Sequence, residues 1–336
     1  MNNQKIDQGI LNHFEMDLAF GSSENNFECK IPSDLHCCEA GYFLYIEGTE
    51  YGGIIDQLEV RSESKEVVYS GRTWQGIIQS KVIMPLKSGE SSTADVTITT
   101  SDSSGSLVDK YLVISGEANK CIQFILNRLG LNSLFVASVF SSGNSLNKFK
   151  FDRFINGYDG IMKMLASIGM KMKIQYIQGK VEVSAVPKYD YSTDEEFDAS
   201  MVNITLKKKV NAVNHLICLG SGDLDQRQVI HLYADKYGNI SQTQTQTGID
   251  EYTAIYDYSS VESYDELFNQ GVEELRNLWE PDEMTIDLDD QSDFFDVGDL
   301  VGATDDVTKL SGTATIRKKI IQLKNDLVSI SYEVGE

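Results

Sequence analysis

The chain has 336 residues, 29 basic against 51 acidic side chains, and a formal charge of −22. So acidic a surface repels phosphate and anionic lipid, which argues against nucleic-acid binding and docking on membranes; solubility is its default reading. With 41% apolar residues the chain buries real cores over two or more domains, and 26 glycines and 16 tyrosines beside only 4 prolines favour strands joined by polar turns.

The opening, MNNQKIDQGILNHFEMD, has no basic segment followed by an apolar one, so no signal peptide is read there and folding in a cytosol is expected. No apolar run approaches the roughly 20 residues needed to cross a bilayer, so no membrane insertion is expected. Residues 1 to 116 read as mostly β. The short apolar run EAGYFLYIEG predicts a buried strand ended by Gly48. Ile54, Leu58 and Val60 fall on one side of the next strand, Glu63-Ser64-Lys65 turns it, and Val67, Val68 and Tyr69 begin the return, a hairpin. Ser88 to Thr93 and Ser101 to Ser106 read as turns or loops about the alternating run Ala94 to Ile98.

Residues 117 to 190 change character to a small α+β module. Asn119 is placed to cap a helix carrying Ile122, Ile125, Leu126 and Leu129, stopped by Gly130. A second helix from about Asp159 presents Ile161, Met164, Leu165 and Ile168, and a hairpin about Gln178-Gly179 follows. The acidic stretch 190 to 198 reads as a linker, and VNITLKKK and VNHLICLG as strands. SQTQTQTG is a loop or an alternating edge strand. An amphipathic helix follows, with Val261, Tyr264, Leu267, Phe268, Leu275 and Leu278 along it and Pro281 to stop it. In the last long strand Ala314 and Ile316 share one parity and Ile321 and Leu323 the other, which predicts a β-bulge across Lys318-Lys319. Asn325-Asp326 supplies the next turn, and Val328, Ile330, Tyr332 and Val334 alternate after it.

The sequence offers little chemistry. Cys29, Cys37, Cys38, Cys121 and Cys218 are odd in number and scattered, so free buried thiols are expected. His36-Cys37-Cys38 has metal-ligand residue types, but no second ligand pair accompanies it, and buried thiols are the better reading. The acidic run Asp287 to Asp299 lacks the glycine and glutamate of a calcium hand and reads as a solvated loop, in which Asp296-Val-Gly298-Asp299 turns the chain into the strand from Leu300. His13, His36, His215 and His231 lie far apart without a supporting motif, and His215 reads as a buried, satisfied histidine. The methionines of GIMKMLASIGMKMKI read as core filler. No nucleophile elbow, zinc-protease motif or phosphate loop is present.

Two strings carry a family likeness. GRTWQGI, Gly71 to Ile77, preceded by YGGIID and followed by Lys81-Val82-Ile83 and Pro85, is similar to the first-domain signature of the XkdQ/YqbQ-type baseplate hub proteins of contractile phage tails and tail-derived bacteriocins. Within it Gly71 and Gly76 punctuate the return strand, Trp74 is a large apolar anchor, and Arg72 needs a local acid, for which Asp56 is available. Asp296, Gly298, Asp299 and Val301, with Ser311-Gly312, Ile316, Lys318, Lys319 and Ile320, resemble the family's closing domain. The clear motifs cover about a quarter of the chain.

The resemblance implies a β-rich α+β multidomain protein with two tail-tube-like β-barrels, 1–116 and 191–225 plus 282–336. The module 117–190 stands between them, and 226–281 is a peripheral insertion in the second barrel. It also implies a homotrimer whose six barrels form a pseudo-sixfold ring between tail tube and central spike. Its partners would be its own copies, a tube or tube-initiator protein, the spike and surrounding baseplate proteins, with DNA passing through the lumen unbound. Such a protein is a structural part of a tail particle assembled in a bacterial cytoplasm, with no catalytic residue, cofactor or metal. The rival readings are a tail-associated peptidoglycan hydrolase and a carbohydrate-binding receptor module.

Overall fold

The computed structural model describes all residues except 3–5, 23, 104, 192–202, 209–212, 262, 280–281, 291–294, 305–310 and 336. They divide into two units, Met1–Ile204 with Ile286–Glu336, and Thr205–Thr285. The acidic linker stretch falls largely outside the described residues.

In the first unit, β1 (Glu15–Gly21) and β2 (Asn26–Pro32) pair antiparallel. Alternation decides which face of β2 is buried: Phe27, Cys29 and Ile31 point into a core with Leu18, Phe20 and Tyr69, while Glu28 and Lys30 point away. β3 (Phe43–Tyr45), β4 (Gly52–Arg61) and β5 (Glu66–Thr73) complete this side, and β4 and β5 form the expected hairpin. The expected shared side of Ile54, Leu58 and Val60 is corrected. A register shift between Ile55 and Gln57 changes the parity there, so Ile55 is buried on the side of Leu58 and Val60, and Ile54 packs against the other core.

β5 does not continue through Gly76. The Thr73 side chain accepts from Gly76 N at 3.3 Å and caps a short helix, α1 (Trp74–Gln79), so the second motif glycine is helical.

The α+β part contains β6 (Val96–Ile98), the small hairpin of β7 (Ser101–Asp102) and β8 (Gly105–Ser106), and β9 (Val113–Glu117). Then come α2 (Ala118–Arg128), β10 (Phe135–Ala137), β11 (Ser145–Lys150), α3 (Gly157–Ala166), β12 (Met170–Ile177) and β13 (Lys180–Pro187). Two three-stranded sheets result, ordered β11-β9-β6 and β10-β13-β12. Cys121, Ile122, Ile125 and Leu126 of α2 pack in one core with Ile161, Met164 and Leu165 of α3. The cap of α2 is Glu117, whose carboxylate accepts from Lys120 N at 3.0 Å, not Asn119. Asn119 is buried instead, donating to Phe140 O and accepting from Ala185 N, each at 2.8 Å. The β12–β13 turn has Gln178 and Gly179 both at positive φ, as a two-residue hairpin turn requires.

The C-terminal strands are β19 (Asp282–Asp290), β20 (Leu300–Thr304), β21 (Ser311–Lys324) and β22 (Leu327–Gly335). The expected solvated loop from Asp287 is corrected as far as Asp290, which is strand, and Asp293 lies outside the described residues. β21 and β22 meet at Asn325-Asp326, both at positive φ, and their register shifts between Ile316 and Lys318. The bulge is thus at Arg317, one residue before the predicted place.

β21 also pairs with β1, from Met16 opposite Leu323 to Gly21 opposite Lys318. One sheet therefore runs β19-β22-β21-β1-β2-β5-β4-β3, with β20 beside the first part of β21. Among the described residues its pairings form an open path.

Strand β14 (Asn203–Lys208) leads into the second unit. There β15 (His215–Leu219), β16 (Val229–Ala234), β17 (Ile240–Ser241) and β18 (Thr253–Asp257) form a sheet ordered β17-β16-β15-β18. The Thr/Gln run is a loop beyond β17. The amphipathic helix is α4 (Tyr264–Trp279), which buries Leu267, Gly271 and Leu275; Val261 is buried just before it, and Pro281 lies outside the described residues.

Candidate functional site: the junction of the two motif strings

Each motif residue can be followed to a joint between segments. Gly71 sits where β5 passes the β4 bulge, and a Cβ there would lie 1.9 Å from Ile54 O, so only glycine lets the strands approach. The same bulge places the Asp56 carboxylate beside the next residue. Arg72 Nε and Nη2 donate to Asp56 Oδ2 and Oδ1, each at 2.7 Å, and Arg72 N donates to Oδ2 at 3.1 Å. Asp56 is thus the partner the sequence offered. Trp74 is fully buried and stacks on Tyr176 of β12, centroids 5.7 Å apart, which anchors the first strand block on the α+β part. Gly76 meets the chain after β1: a Cβ would lie 2.1 Å from Asn25 O.

Hydrogen bonds from Arg72 hold the Asp56 carboxyl below its ordinary 3.8. A folded-state pKa below the unfolded one stabilises at pH above the unfolded value and loses that contribution as pH falls through the folded one. Both side chains are more than a third exposed, so solvent screens the pair and its worth is modest. Arg72→Ala is expected to cost about 1 kcal/mol at pH 7, with the gap from wild type closing below about pH 4. Urea titrations across that range check this, and a gap that persists in acid would assign the effect to packing.

The C-terminal string makes a more buried joint. Asp296 to Asp299 form a turn with Gly298 at φ 101°. Asp299 is 1% exposed, and its Oδ2 accepts from Lys171 Nζ at 2.7 Å while its Oδ1 accepts from Tyr189 N at 2.8 Å. Lys171 Nζ also donates to Asp296 Oδ2 at 2.7 Å. Lys171 is on β12, so this triad clamps the α+β part to the turn that feeds β20.

Lys318 and Lys319 are adjacent on β21 and so point to opposite sides. Lys318 Nζ lies 2.7 Å from Glu24 and 2.9 Å from Glu333. Burial disfavours its charge, but the two glutamates outweigh that and hold its pKa above the ordinary lysine value. Lys319 is 1% exposed and reaches Glu50 at 3.1 Å, with the Tyr51 and Tyr332 rings 5.5 and 5.9 Å away. Each lysine thus ties β21 to an acid of the N-terminal segment. The nine motif residues do not converge on one pocket. They lock three segments together, with the β1–β21 pairing between them.

Sequence reasoning missed two features. Lys171 has no local mark, since its carboxylates lie 125 and 128 positions away. In the second unit His215 is buried as expected, and the fold also brings it to His231, with Nε2 2.9 Å from His231 Nδ1 while its own Nδ1 lies 2.7 Å from Glu251 Oε1. His231 follows two strand positions after Val229, and only the β15–β16 register shows that the two histidines meet. Among the described residues no group of three or more His, Cys, Asp or Glu side chains is arranged to hold a metal ion, and no helix is long and apolar enough to cross a membrane.

No family model matches the chain, and no curated protein does. Solved structures similar to it include the tail protein from Neisseria meningitidis MC58, 12% identical, with a TM-score of 0.48 over 96% of this chain and 91% of that one. The prophage tail protein gp18 from Listeria monocytogenes EGD-e is 11% identical, with a TM-score of 0.49 over 99% and 92%. The 43 kDa tail protein of prophage MuSo2 from Shewanella oneidensis is 8% identical, with a TM-score of 0.46 over 95% and 92%.

Proposed function

We propose that the chain is a structural baseplate hub of a contractile tail, acting through assembly and not through a chemical step. The observation that carries this reading is the convergence of the two hub-like strings. Separated by most of the chain, they lie in one sheet, the first in β4 and β5 and the second in β20 and β21, joined through the β1–β21 pairing, and their charged residues are spent on holding the segments together. That is the economy of a scaffold: among the described residues the charged motif side chains sit in ion pairs that fix register.

On this reading each subunit contributes two tube-like barrels to a homotrimeric, pseudo-sixfold ring between tail tube and spike. The open ends of the main sheet are then covered by neighbouring subunits, which removes the hazard of exposed strand edges. The particle would be a virion or a related tail assembly, and the acidic surplus in the lumen would let DNA pass without adhering.

Light scattering of the purified chain over a concentration series, with negative-stain images of the same sample, tests the proposal. A trimer that images as an annulus is the expected result. A monomer at every concentration that also fails to co-purify with its tube and spike proteins would overturn it. Lysis of cell-wall material in a zymogram, or specific capture on a glycan array, would favour the hydrolase or the receptor module instead.

A further inference from the structure

Three of the five cysteines meet at one place. Cys29 on β2 and Cys37 and Cys38 in the segment after it line a cavity of about 370 Å³, walled also by Phe14, Phe27 and Phe43. Cys29 and Cys38 are buried as expected, while the expected burial of Cys37 is corrected, since it is exposed. Cys37 Sγ lies 3.7 Å from Cys38 Sγ. The Tyr69 hydroxyl accepts from Cys37 N and Cys38 N, each at 3.3 Å, and lies 2.9 Å from His36 Nδ1. The two residues are therefore held as a unit against a buried tyrosine. A disulfide of about 2.05 Å requires the sulfurs to approach by roughly 1.7 Å, which takes side-chain rotation together with a twist of the peptide that joins the two residues, since adjacent Cα atoms stand only about 3.8 Å apart. Cys121 and Cys218 are buried elsewhere and have no such neighbour among the described residues.

We propose that Cys37 and Cys38 form a redox-active vicinal dithiol that closes to an intrachain disulfide when a small disulfide, such as oxidised glutathione, reaches the exposed Cys37. In the first step the Cys37 thiolate attacks one sulfur of the small disulfide. That S–S bond breaks, and one small thiolate leaves and takes up a proton. In the second step the Cys38 sulfur attacks Cys37 in the mixed disulfide, the Cys37–Cys38 bond forms, and the second small thiol is released. Two electrons pass from the protein sulfurs to the small disulfide, and the protons of Cys37 and Cys38 end on the two released thiols.

Burial raises the Cys38 thiol to about 11, and with Cys37 the exposed sulfur the first attack falls to Cys37. Adjacent cysteines close a strained eight-membered ring, and strained disulfides are oxidising and readily reduced. The bond is therefore reversible. Both sulfurs already line the cavity, so closure of the bond alters its wall and couples it to the redox state of the surroundings.

The test treats the folded full chain with excess oxidised glutathione at neutral pH, followed by acid quenching, alkylation and peptide mass mapping. The expected result is loss of the Cys37 and Cys38 thiols with a bond between them, reversed by dithiothreitol. Cys37→Ser should abolish the reaction. Cys38→Ser, or Cys38→Ala should serine fail to fold, should stop it at a stable glutathione adduct on Cys37. A persistent adduct on wild-type Cys37, a Cys29–Cys38 bond, or a dimer linked through Cys37 would each overturn the proposal.

Discussion

Replacing Lys171 by alanine is expected to destabilise the first unit by about 3–5 kcal/mol. The lysine side chain is 6% exposed and Asp299 is 1% exposed, so removing the ammonium leaves a carboxylate in the interior facing the backbone donors Tyr189 N and Asp296 N without a cation. Asp296 suffers less, since its side chain is 46% exposed and water takes the place of Lys171. The cost is therefore mainly that of an uncompensated buried charge, not the worth of the ion pair itself. A second variant separates the two. Lys171→Met combined with Asp299→Asn removes both charges, keeps an oxygen for Tyr189 N, and should recover at least about half of the loss. The chain has two tryptophans, Trp74 in the first unit and Trp279 in the second, so a Trp279→Phe background lets fluorescence report the first unit alone. An unchanged urea midpoint for Lys171→Ala would mean that the triad contributes nothing to the clamp.

Gly21→Ala is the other large effect, and it tests the join between the two ends of the chain. Gly21 closes β1 opposite the β21 bulge at φ +145°, and a Cβ would lie 2.1 Å from Arg317 O and 2.6 Å from Lys318 Cα. Both obstacles are backbone, so no side-chain rotation relieves them. The residue is also held from its own side, because Gly21 N donates to Asn25 Oδ1 at 2.9 Å and Gly21 O accepts from Asn25 Nδ2 at 2.7 Å. The strands must part at Gly21–Lys318, which also pulls Lys318 from Glu24. A loss above about 3 kcal/mol is expected, as for other violations of a special backbone site. Amide exchange along Lys318 to Leu323 should quicken on the order of a hundredfold, while β15 and β16 of the second unit keep their protection. Unchanged exchange along β21 would show that the sheet does not depend on this contact.

Much of the local structure was legible in the residues themselves. The turns at Gln178-Gly179 and Asn325-Asp326 follow from their turn chemistry, and both adopt the left-handed conformations such hairpins require. The parity switch in the last long strand announced a bulge and missed it by one residue, since apolar positions on either side bracket an irregularity without marking the residue that bears it. Ile54 parts from Leu58 and Val60 for the same reason, as one extra residue near Asp56 inverts every later side chain and a single isolated strand carries no sign of it. Thr73 was the cap that turned the expected strand into a helix, and the apolar string after it suited either period.

What the sequence determined by itself is the set of elements with strong periodicity or a local turn, and the Arg72–Asp56 pairing across one hairpin. These rest on neighbours within a few residues or across one turn, where spacing alone sets geometry. Only the tertiary structure decided that β1 pairs with β21, that Lys171 is held by Asp296 and Asp299, that Lys319 reaches Glu50 from 269 positions away, and that His215 meets His231. A lysine or an acid carries no mark of its distant partner in so charged a chain. Its burial becomes affordable only where the fold delivers the opposite charge, and that depends on the register of strands from opposite ends of the sequence.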